Sequence, residues 1–116
     1  MKILICGGRD YKDQKTVDKA MDHAVRHINP DDITVISGHA RGADQLGEAW
    51  AKSRDLSLDL YPAKWETYGK SAGFKRNIQM LDTKPDMVVA FPGGKGTAHT
   101  VRNAKERGID VMEVQE

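Results

Sequence analysis

The apolar residues of this chain fall into two alternating patterns. Five short runs are almost continuously apolar and are bounded by glycine, proline or charged residues, which is typical of strands buried in a sheet. Between these runs, apolar residues recur every three or four positions, as they do on one face of an α-helix. The predicted strands cover residues 2–6, 33–37, 57–61, 86–91 and 109–114.

Residues that begin or end helices flank the segments with helical spacing. Aspartate and threonine are favourable N-caps, whereas proline and glycine end helices. Helical spacing occurs in residues 17–28, 46–50, 74–81 and 97–108. We expect the N-caps of the first and last helices at Asp13 and Thr97, and their ends at Pro30 and Gly108.

Strand and helix alternate along the whole chain, which predicts an α/β fold with a parallel sheet and helices on both faces. The chain has 116 residues, of which 39% are hydrophobic and 30% are charged. This length and composition fit one domain with a single core, covering residues 1–116.

Glycine-bearing loops follow three of the predicted strands, and a longer polar connection follows Tyr61. The carboxyl ends of parallel strands meet at one edge of a sheet, and ligands bind beyond that edge. The sequence therefore predicts a ligand-binding edge, to which the loops at Gly7, Gly38 and Gly93 contribute together with Arg9, Arg41 and Lys64.

The loop after the fourth strand, residues 91–97, has the features of a phosphate-binding loop. Its three glycines let a ligand approach the backbone, and the free N–H groups of a helix N-terminus attract anions. The motif differs from Walker A, which needs Ser or Thr directly after Gly-Lys, and from G-x-G-x-x-G. A Pro-Gly turn without a ligand is the alternative. The expected phosphate contacts are Pro92, Gly93, Gly94, Gly96 and Thr97.

The loops after the first two strands supply further candidate contacts. The Arg9 guanidinium suits phosphate, and Asp10 could accept ribose hydroxyl groups or a proton, although a loop ion pair is the alternative. In the second loop, hydroxyl and backbone groups could bind the ligand, while Asp44 could serve only as the N-cap of the second helix. The candidate ligand-binding residues of these loops are Gly7, Gly8, Arg9, Ser37, Gly38, Arg41 and Gly42.

The long connection and the helix after it contain polar and aromatic candidates. Arg76 and Asn77 either close over the ligand or face solvent. Trp65 and Tyr68 could stack on a base, but we expect them to anchor the connection on the core, as loop aromatics commonly do. Phe74 marks the apolar spacing of the following helix.

Charge and cysteine content restrict the partners. The formal net charge is +1 and no long basic run occurs, so nucleic acid is a secondary hypothesis. The single cysteine, Cys6, can form no intrachain disulfide, and the chain lacks a signal-peptide pattern and a long apolar segment. We expect a cytoplasmic protein without membrane contact. His23 and His27 are four residues apart but lack a third ligand, so we expect no metal and no cofactor.

Six blocks, in order along the chain, resemble the YspA-like branch of the SLOG superfamily, and the match runs nearly end to end. The resemblance implies a three-layer Rossmann-like fold of about five strands that binds a nucleotide or nucleotide-derived ligand, phosphoribosyl or ADP-ribose-like, at its glycine loops. Relatives include the LOG phosphoribohydrolases, which split a base from ribose 5-phosphate, and the DNA-processing protein DprA. The blocks are residues 7–11, 37–44, 49–51, 68–69, 76–77 and 91–97.

The resemblance leaves two functions open: binding or sensing of such a ligand, or N-glycosidic hydrolysis of a nucleoside 5′-monophosphate. In the LOG enzymes the P-G-G-x-G-T motif continues into glutamates that contribute to hydrolysis, whereas residues 98–100 of this chain are Ala, His and Thr. An enzyme would need another carboxylate, from Asp10, Asp44 or Glu48, and Asp10 is the first choice. Because relatives commonly associate, we expect a homodimer or larger assembly. The helix that carries Trp50 is the candidate surface if this side chain is not needed inside the core.

Overall fold

The computed structural model describes residues 1–115 and contains one five-stranded parallel sheet. The strands are β1 (Lys2–Cys6), β2 (Thr34–Ser37), β3 (Ser57–Leu60), β4 (Met87–Ala90) and β5 (Asp110–Glu113). Their order in the sheet is β3-β2-β1-β4-β5, and every neighbouring pair is parallel. The predicted α/β fold is therefore confirmed.

Helices cover both faces of this sheet. They are α1 (Gln14–Ala24), α2 (Ala43–Ser53), α3 (Trp65–Tyr68), α4 (Ala72–Asp82) and α5 (Lys95–Glu106). Helices α1 and α2 pack on the face that carries Ile3 and Ile5, whereas α4 and α5 pack on the face that carries Leu4 and Cys6. Because side chains alternate across the central strand β1, both layers of the core are built on the same strand.

The first helix has the predicted N-cap but ends earlier than predicted. The Asp13 carboxylate accepts hydrogen bonds from the backbone N–H and the hydroxyl of Thr16. The helix ends at Ala24 instead of continuing to Ile28, and Nη1 of Arg26 donates a hydrogen bond to the carbonyl oxygen of His23. Ile28 nevertheless packs against the core. Ile28 continues the apolar spacing because its side chain is buried after the helix has ended, and not because the helix continues to this residue.

The last helix begins before its predicted N-cap. Gly94 occupies the N-cap position of α5, so Thr97 lies inside the first turn and the prediction of a threonine cap was wrong. The second helix is similar, because its N-cap is Gly42 at φ +82°. Asp44 is therefore a residue of α2 and not its N-cap. In both helices the N-cap is a glycine, and the polar residue that the sequence suggested as N-cap lies two or three residues later inside the helix.

Trp50 is a core residue. Its side chain is buried against the sheet, and its indole Nε1–H donates a 2.8 Å hydrogen bond to Asp22 on α1. Nε and Nη2 of Arg54 donate to the same carboxylate. Trp50 is therefore needed inside the core, and the condition for placing an association surface at Trp50 on α2 is not met.

Candidate functional site

The carboxyl edge of the sheet contains a cavity of about 390 Å³. All five strands run in the same direction, so the loops that follow them meet at this edge. The cavity lies between the loop after β1, the first turn of α5 and one side of α4. Its floor includes Ile5, Cys6 and Met80. The predicted convergence of loops at one edge thus produces a concave site.

The glycines of the first and fourth loops hold these loops against each other. The backbone N–H of Gly8 donates a 2.9 Å hydrogen bond to the carbonyl oxygen of Pro92. A Cβ atom on Gly93 would lie 2.6 Å from the nitrogen of Gly8, and one on Gly7 would lie 2.5 Å from the Cβ of Ala43. Glycine is required at both positions because neighbouring residues of the protein lie too close for a side chain.

Gly94 and Gly96 face open space instead. Apart from the adjacent residues and the helix's own backbone, no heavy atom lies within 4 Å of a Cβ built on either residue, and both residues line the cavity. No side chain caps the N-terminus of α5. The first N–H groups of a helix lack partners within the helix, and the positive end of the helix dipole lies beside them. The open part of the motif therefore suits an anion.

Basic side chains surround this helix N-terminus. Arg9, Lys70, Arg76 and Lys95 line the cavity, whereas Asp44 is the acidic side chain that lines it among the described residues. Nη1 of Arg76 donates a 2.6 Å hydrogen bond to the carbonyl oxygen of Gly38, and its Nε donates to Asn77. Burial lowers the pKa of Arg76, and the nearby Asp44 carboxylate opposes that change. The balance of charge in the cavity is positive.

Two exposed aromatic side chains form another part of its wall. Trp65 is 46% exposed and Phe74 is 44% exposed, and both line the cavity. The Arg9 guanidinium lies over the Trp65 ring at 5.4 Å from the centroid, and Phe74 packs against His99. The expectation that Trp65 and Tyr68 anchor the connection on the core was wrong, because Tyr68 is also 45% exposed. Both belong to α3, whose aromatic side chains are exposed and not buried in the core; of the two, Trp65 lines the cavity.

Asp44 is a buried carboxylate at this cavity. Its Oδ2 accepts a 3.1 Å hydrogen bond from the backbone N–H of Ala40. Burial raises the pKa of Asp44 to about 6, while the Ala40 N–H and the Arg76 charge act in the opposite direction. A carboxyl group with this pKa changes its protonation state close to neutral pH, which is a property of functional carboxylates.

Asp10 lies outside the cavity. Its side chain is 92% exposed, and Oδ1 pairs at 3.4 Å with Nη2 of Arg41, which is itself 70% exposed. Ser37 is fully buried and donates a 2.7 Å hydrogen bond to Glu48. The predicted contact residues that do not line the cavity are Ser37, Gly38, Arg41, Gly42, Pro92 and Gly93. Their assignment to a ligand remains a prediction.

The predicted pair Arg76 and Asn77 does line the cavity. Asn77 is buried, and its Nδ2 donates at 3.4 Å to the carbonyl oxygen of Gly96. Thr100 donates to the same carbonyl oxygen from within α5. The Asn77 bond connects α4 to the first turn of α5.

Several residues that line the cavity were not predicted as ligand contacts, among them Lys70, Phe74 and Lys95. A signal for Phe74 existed, because the helical spacing of α4 places the polar Asn77 on the same side as its apolar residues. Lys95 lies inside the glycine motif of residues 91–97 but was not among the expected phosphate contacts, and Lys70 carried no signal, since exposed lysines are common on any surface.

Residues 1–115 offer neither a metal site nor a membrane-spanning helix. No group of three or more His, Cys, Asp or Glu side chains there is arranged to hold a metal ion. No helix of this part of the chain has the length and apolar character needed to cross a membrane.

A parallel sheet with glycine-rich loops and a basic cavity at its carboxyl edge defines a Rossmann-like α/β domain. The chain belongs to the YspA, cpYpsA-related SLOG family, whose model, YAcAr, matches residues 1–68. That range contains the glycine loops after β1 and β2.

Two similar proteins extend the comparison over nearly the whole chain. The Gene 61 protein of Mycobacterium phage D29 is 38% identical over 118 residues, which cover 96% of this chain and 94% of that protein. The X-ray structure of DNA processing protein A (DprA) from Streptococcus pneumoniae superposes with a TM-score of 0.75 at 18% identity. The superposition covers 99% of this chain but 50% of DprA, and at this identity it shows a shared fold.

Proposed function

We propose that the cavity binds a nucleotide or nucleotide-derived ligand, with a phosphate group at the N-terminus of α5. The observation that carries this proposal is the uncapped first turn of α5, with Gly94 and Gly96 open to a cavity of positive charge. Backbone N–H groups at such a turn bind phosphate without needing a Walker lysine. Membership of the SLOG family supports nucleotide-related binding or processing as the general class.

The aromatic wall supports a nucleotide over a simple phosphate ester. Trp65 and Phe74 expose ring surface at the cavity, and such rings stack on nucleobases. The Arg9 guanidinium already lies over Trp65, so this ring is held in place from one side. We expect the base to contact this aromatic wall and the phosphate to contact the first turn of α5.

Calorimetry with AMP in wild-type and Gly96→Val protein tests the proposal. A Cβ atom on Gly96 meets nothing within 4 Å beyond its chain neighbours and its own helix, so we expect a valine there to fit the fold and to occupy the space assigned to the ligand. Ala98→Val is the matched control, because Ala98 is exposed on the same helical turn and does not line the cavity. We expect at least a tenfold loss of AMP affinity in Gly96→Val and little change in Ala98→Val. Equal affinity in the two folded variants would refute this placement.

A second candidate function, N-glycosidic hydrolysis of a nucleoside monophosphate, is favoured by Asp44. Cleavage passes through an oxocarbenium-like sugar that a nearby ionised carboxylate stabilises. Asp44 lies in the cavity whereas Asp10 is exposed outside it, so Asp44 replaces Asp10 as the preferred catalytic candidate. Because burial raises the pKa of Asp44 to about 6, a role as the ionised group predicts activity that rises with pH through about 6.

Incubation with AMP followed by chromatography for free adenine tests the hydrolase. Asp44→Asn should abolish adenine release while AMP binding persists, and Asp10→Asn is the matched control for removal of a carboxylate outside the cavity. Absence of adenine release by a wild-type protein that binds AMP would leave binding or sensing as the function.

We also propose that the protein forms a homodimer or larger assembly, since a sheet of this size has a modest core. Light scattering across a hundredfold range of concentration tests this. A monomer mass throughout would exclude it.

A further inference from the structure

A second cleft, of about 330 Å³, adjoins the cavity. The two spaces share Arg9, Ala40, Trp65 and Arg76 as parts of their walls. The second cleft extends from this common wall over the loop after β2, where His39 and Arg41 line it. A ligand bound in the cavity therefore has an adjoining space into which a further group can reach.

His39 is held rigidly in this cleft. Its Nδ1 lies 2.9 Å from Oε1 and 3.1 Å from Oε2 of Glu48, whose side chain is 5% exposed. Ser37 donates to the same carboxylate and accepts a hydrogen bond from the backbone N–H of His39. Within residues 1–115, the other ring nitrogen, Nε2, has no hydrogen-bond partner. The buried carboxylate thus fixes one side of the imidazole and leaves the other side for a ligand.

The backbone at His39 is also unusual. Its φ of 57° lies in the left-handed region, which costs free energy for a residue with a Cβ atom. A glycine would adopt this conformation without that cost, and the neighbouring Gly38 and Gly42 show how common glycine is in this loop. The position therefore holds an imidazole at the expense of local stability.

The cleft is positively charged. Arg9, Arg41 and Arg76 line it, and none of its lining residues is acidic among those that the structure describes. Arg41 pairs with Asp10 at 3.4 Å, but both side chains are well exposed, so solvent screens the pair and a ligand can replace it. An anion is the ligand group that suits three guanidinium groups.

We propose that this cleft binds a second phosphate group of the same ligand, with Arg41 and His39 as its donors. When both ring nitrogens carry a proton, His39 donates from Nδ1 to Glu48 and from Nε2 to the phosphate, while Arg41 supplies a guanidinium from the same loop. The inference rests on the proposed nucleotide site and adds to it a preference for a ligand with two phosphate groups.

The test compares AMP with two adenosine nucleotides that carry two phosphate groups, by calorimetry in buffer without divalent cations. They are called bisphosphorylated ligands below. ADP places the second phosphate beside the first, and adenosine 3′,5′-bisphosphate places it across the ribose. We expect at least one of them to bind the wild-type protein about tenfold or more tightly than AMP, as charge-assisted hydrogen bonds to a phosphate provide. If AMP binds and neither bisphosphorylated ligand binds more tightly, the second subsite is wrong while the nucleotide site stands. If none of the three binds, the nucleotide site itself is wrong.

Two variants identify the donors. His39→Gly keeps the left-handed backbone and removes the ring. Arg41→Gln changes a side chain that is 70% exposed and whose hydrogen bonds go to Asp10 and to the carbonyl oxygen of Arg9. Each should reduce the ratio of bisphosphorylated-ligand to AMP affinity at least threefold, a ratio that is insensitive to effects common to both ligands. Lys84→Gly is the control for His39→Gly, because Lys84 has φ 58° and precedes β4 at the opposite edge of the sheet. Arg26→Gln is the control for Arg41→Gln. Ratios unchanged in both His39→Gly and Arg41→Gln would overturn the assignment.

Discussion

The backbone N–H of Gly8 donates a 2.9 Å hydrogen bond to the carbonyl oxygen of Pro92, and this bond joins the loops that follow β1 and β4. The two loops lie so close that a side chain on Gly93 would contact the backbone of Gly7 and Gly8. The glycine motif after β4 therefore has two parts: one packs on protein, and the other is open to the cavity.

The first prediction separates these two parts by substitution with alanine. Gly93→Ala places a Cβ 2.3 Å from Oγ1 of Thr97 and 2.6 Å from the nitrogen of Gly8, so the loops must move apart. We expect a loss of about 1–3 kcal/mol in the free energy of unfolding, as for other overpacked sites. Gly94→Ala, which meets no atom within 4 Å, should change it by less than about 1 kcal/mol. Urea unfolding of the two variants measures the difference, and equal stabilities would contradict the packing role.

The second prediction follows from the buried carboxylate of Asp44. Burial raises its pKa from 3.8 to about 6, so the folded protein retains this proton at a pH where the unfolded chain has lost it. Stability is therefore lost as the pH rises from about 4 to about 6, by at most about 3 kcal/mol at 1.36 kcal/mol per pKa unit. Asp44→Asn removes this pH-dependent loss of stability because an amide does not ionise. Its oxygen can still accept the hydrogen bond from the Ala40 N–H.

Urea unfolding at pH 4 and pH 7 measures this effect. The stability of Asp44→Asn relative to wild type should increase by about 2–3 kcal/mol between the two pH values. Asp10→Asn, with its exposed carboxylate, is the matched control for the loss of one negative charge. A relative stability of Asp44→Asn that stays constant with pH would show that the Asp44 carboxylate is not buried as described.

The third prediction concerns the aromatic wall. Trp65→Ala should weaken AMP binding by about 1–3 kcal/mol, the range for loss of a base-stacking ring. Tyr68→Ala is the matched control, because Tyr68 lies on the same short helix with almost the same exposure, but faces Lys75 and does not line the cavity. Calorimetry with AMP compares the two variants. A larger loss in Tyr68→Ala than in Trp65→Ala would place the base elsewhere.

The fold was predictable because its signals are periodic and local. β1 begins and ends where its apolar run does, and the buried run at β4 identified a strand next to the centre of the sheet. The helix starts were less accurate, since Gly42 and Gly94 take N-cap positions through backbone conformation, which the sequence does not display as a polar cap.

The site was predictable only in part. Glycine loops after parallel strands must meet at one edge, so their convergence followed from topology. How closely two loops approach each other decides which glycine contacts protein and which faces the cavity. Gly93 and Gly94 are adjacent in sequence but differ in this respect. The positions of Asp10 and Asp44 could not be separated for the same reason, because both follow glycines in similar loops.

The last prediction uses Cys6 as a reporter of both stability and binding. Burial raises the pKa of the Cys6 thiol, and the charges of Asp44 and Glu113 raise it further. The thiolate is the reactive form, so iodoacetamide at pH 8 should modify Cys6 in the native protein far more slowly than in urea. Cys6 is 7% exposed on the floor of the cavity, so reaction requires either opening of the fold or entry of the reagent into the cavity, and a bound ligand opposes both. AMP at a hundred times its dissociation constant should stabilise the closed form by about 2.7 kcal/mol and slow the reaction about a hundredfold.

Gly96→Val should remove this protection by AMP while Ala98→Val retains it, since only the first fills the space at the start of α5. Rapid modification of Cys6 in the native wild-type protein would contradict its burial. Slow modification whose rate does not change with saturating AMP would show that AMP binding does not protect the strand that carries Cys6.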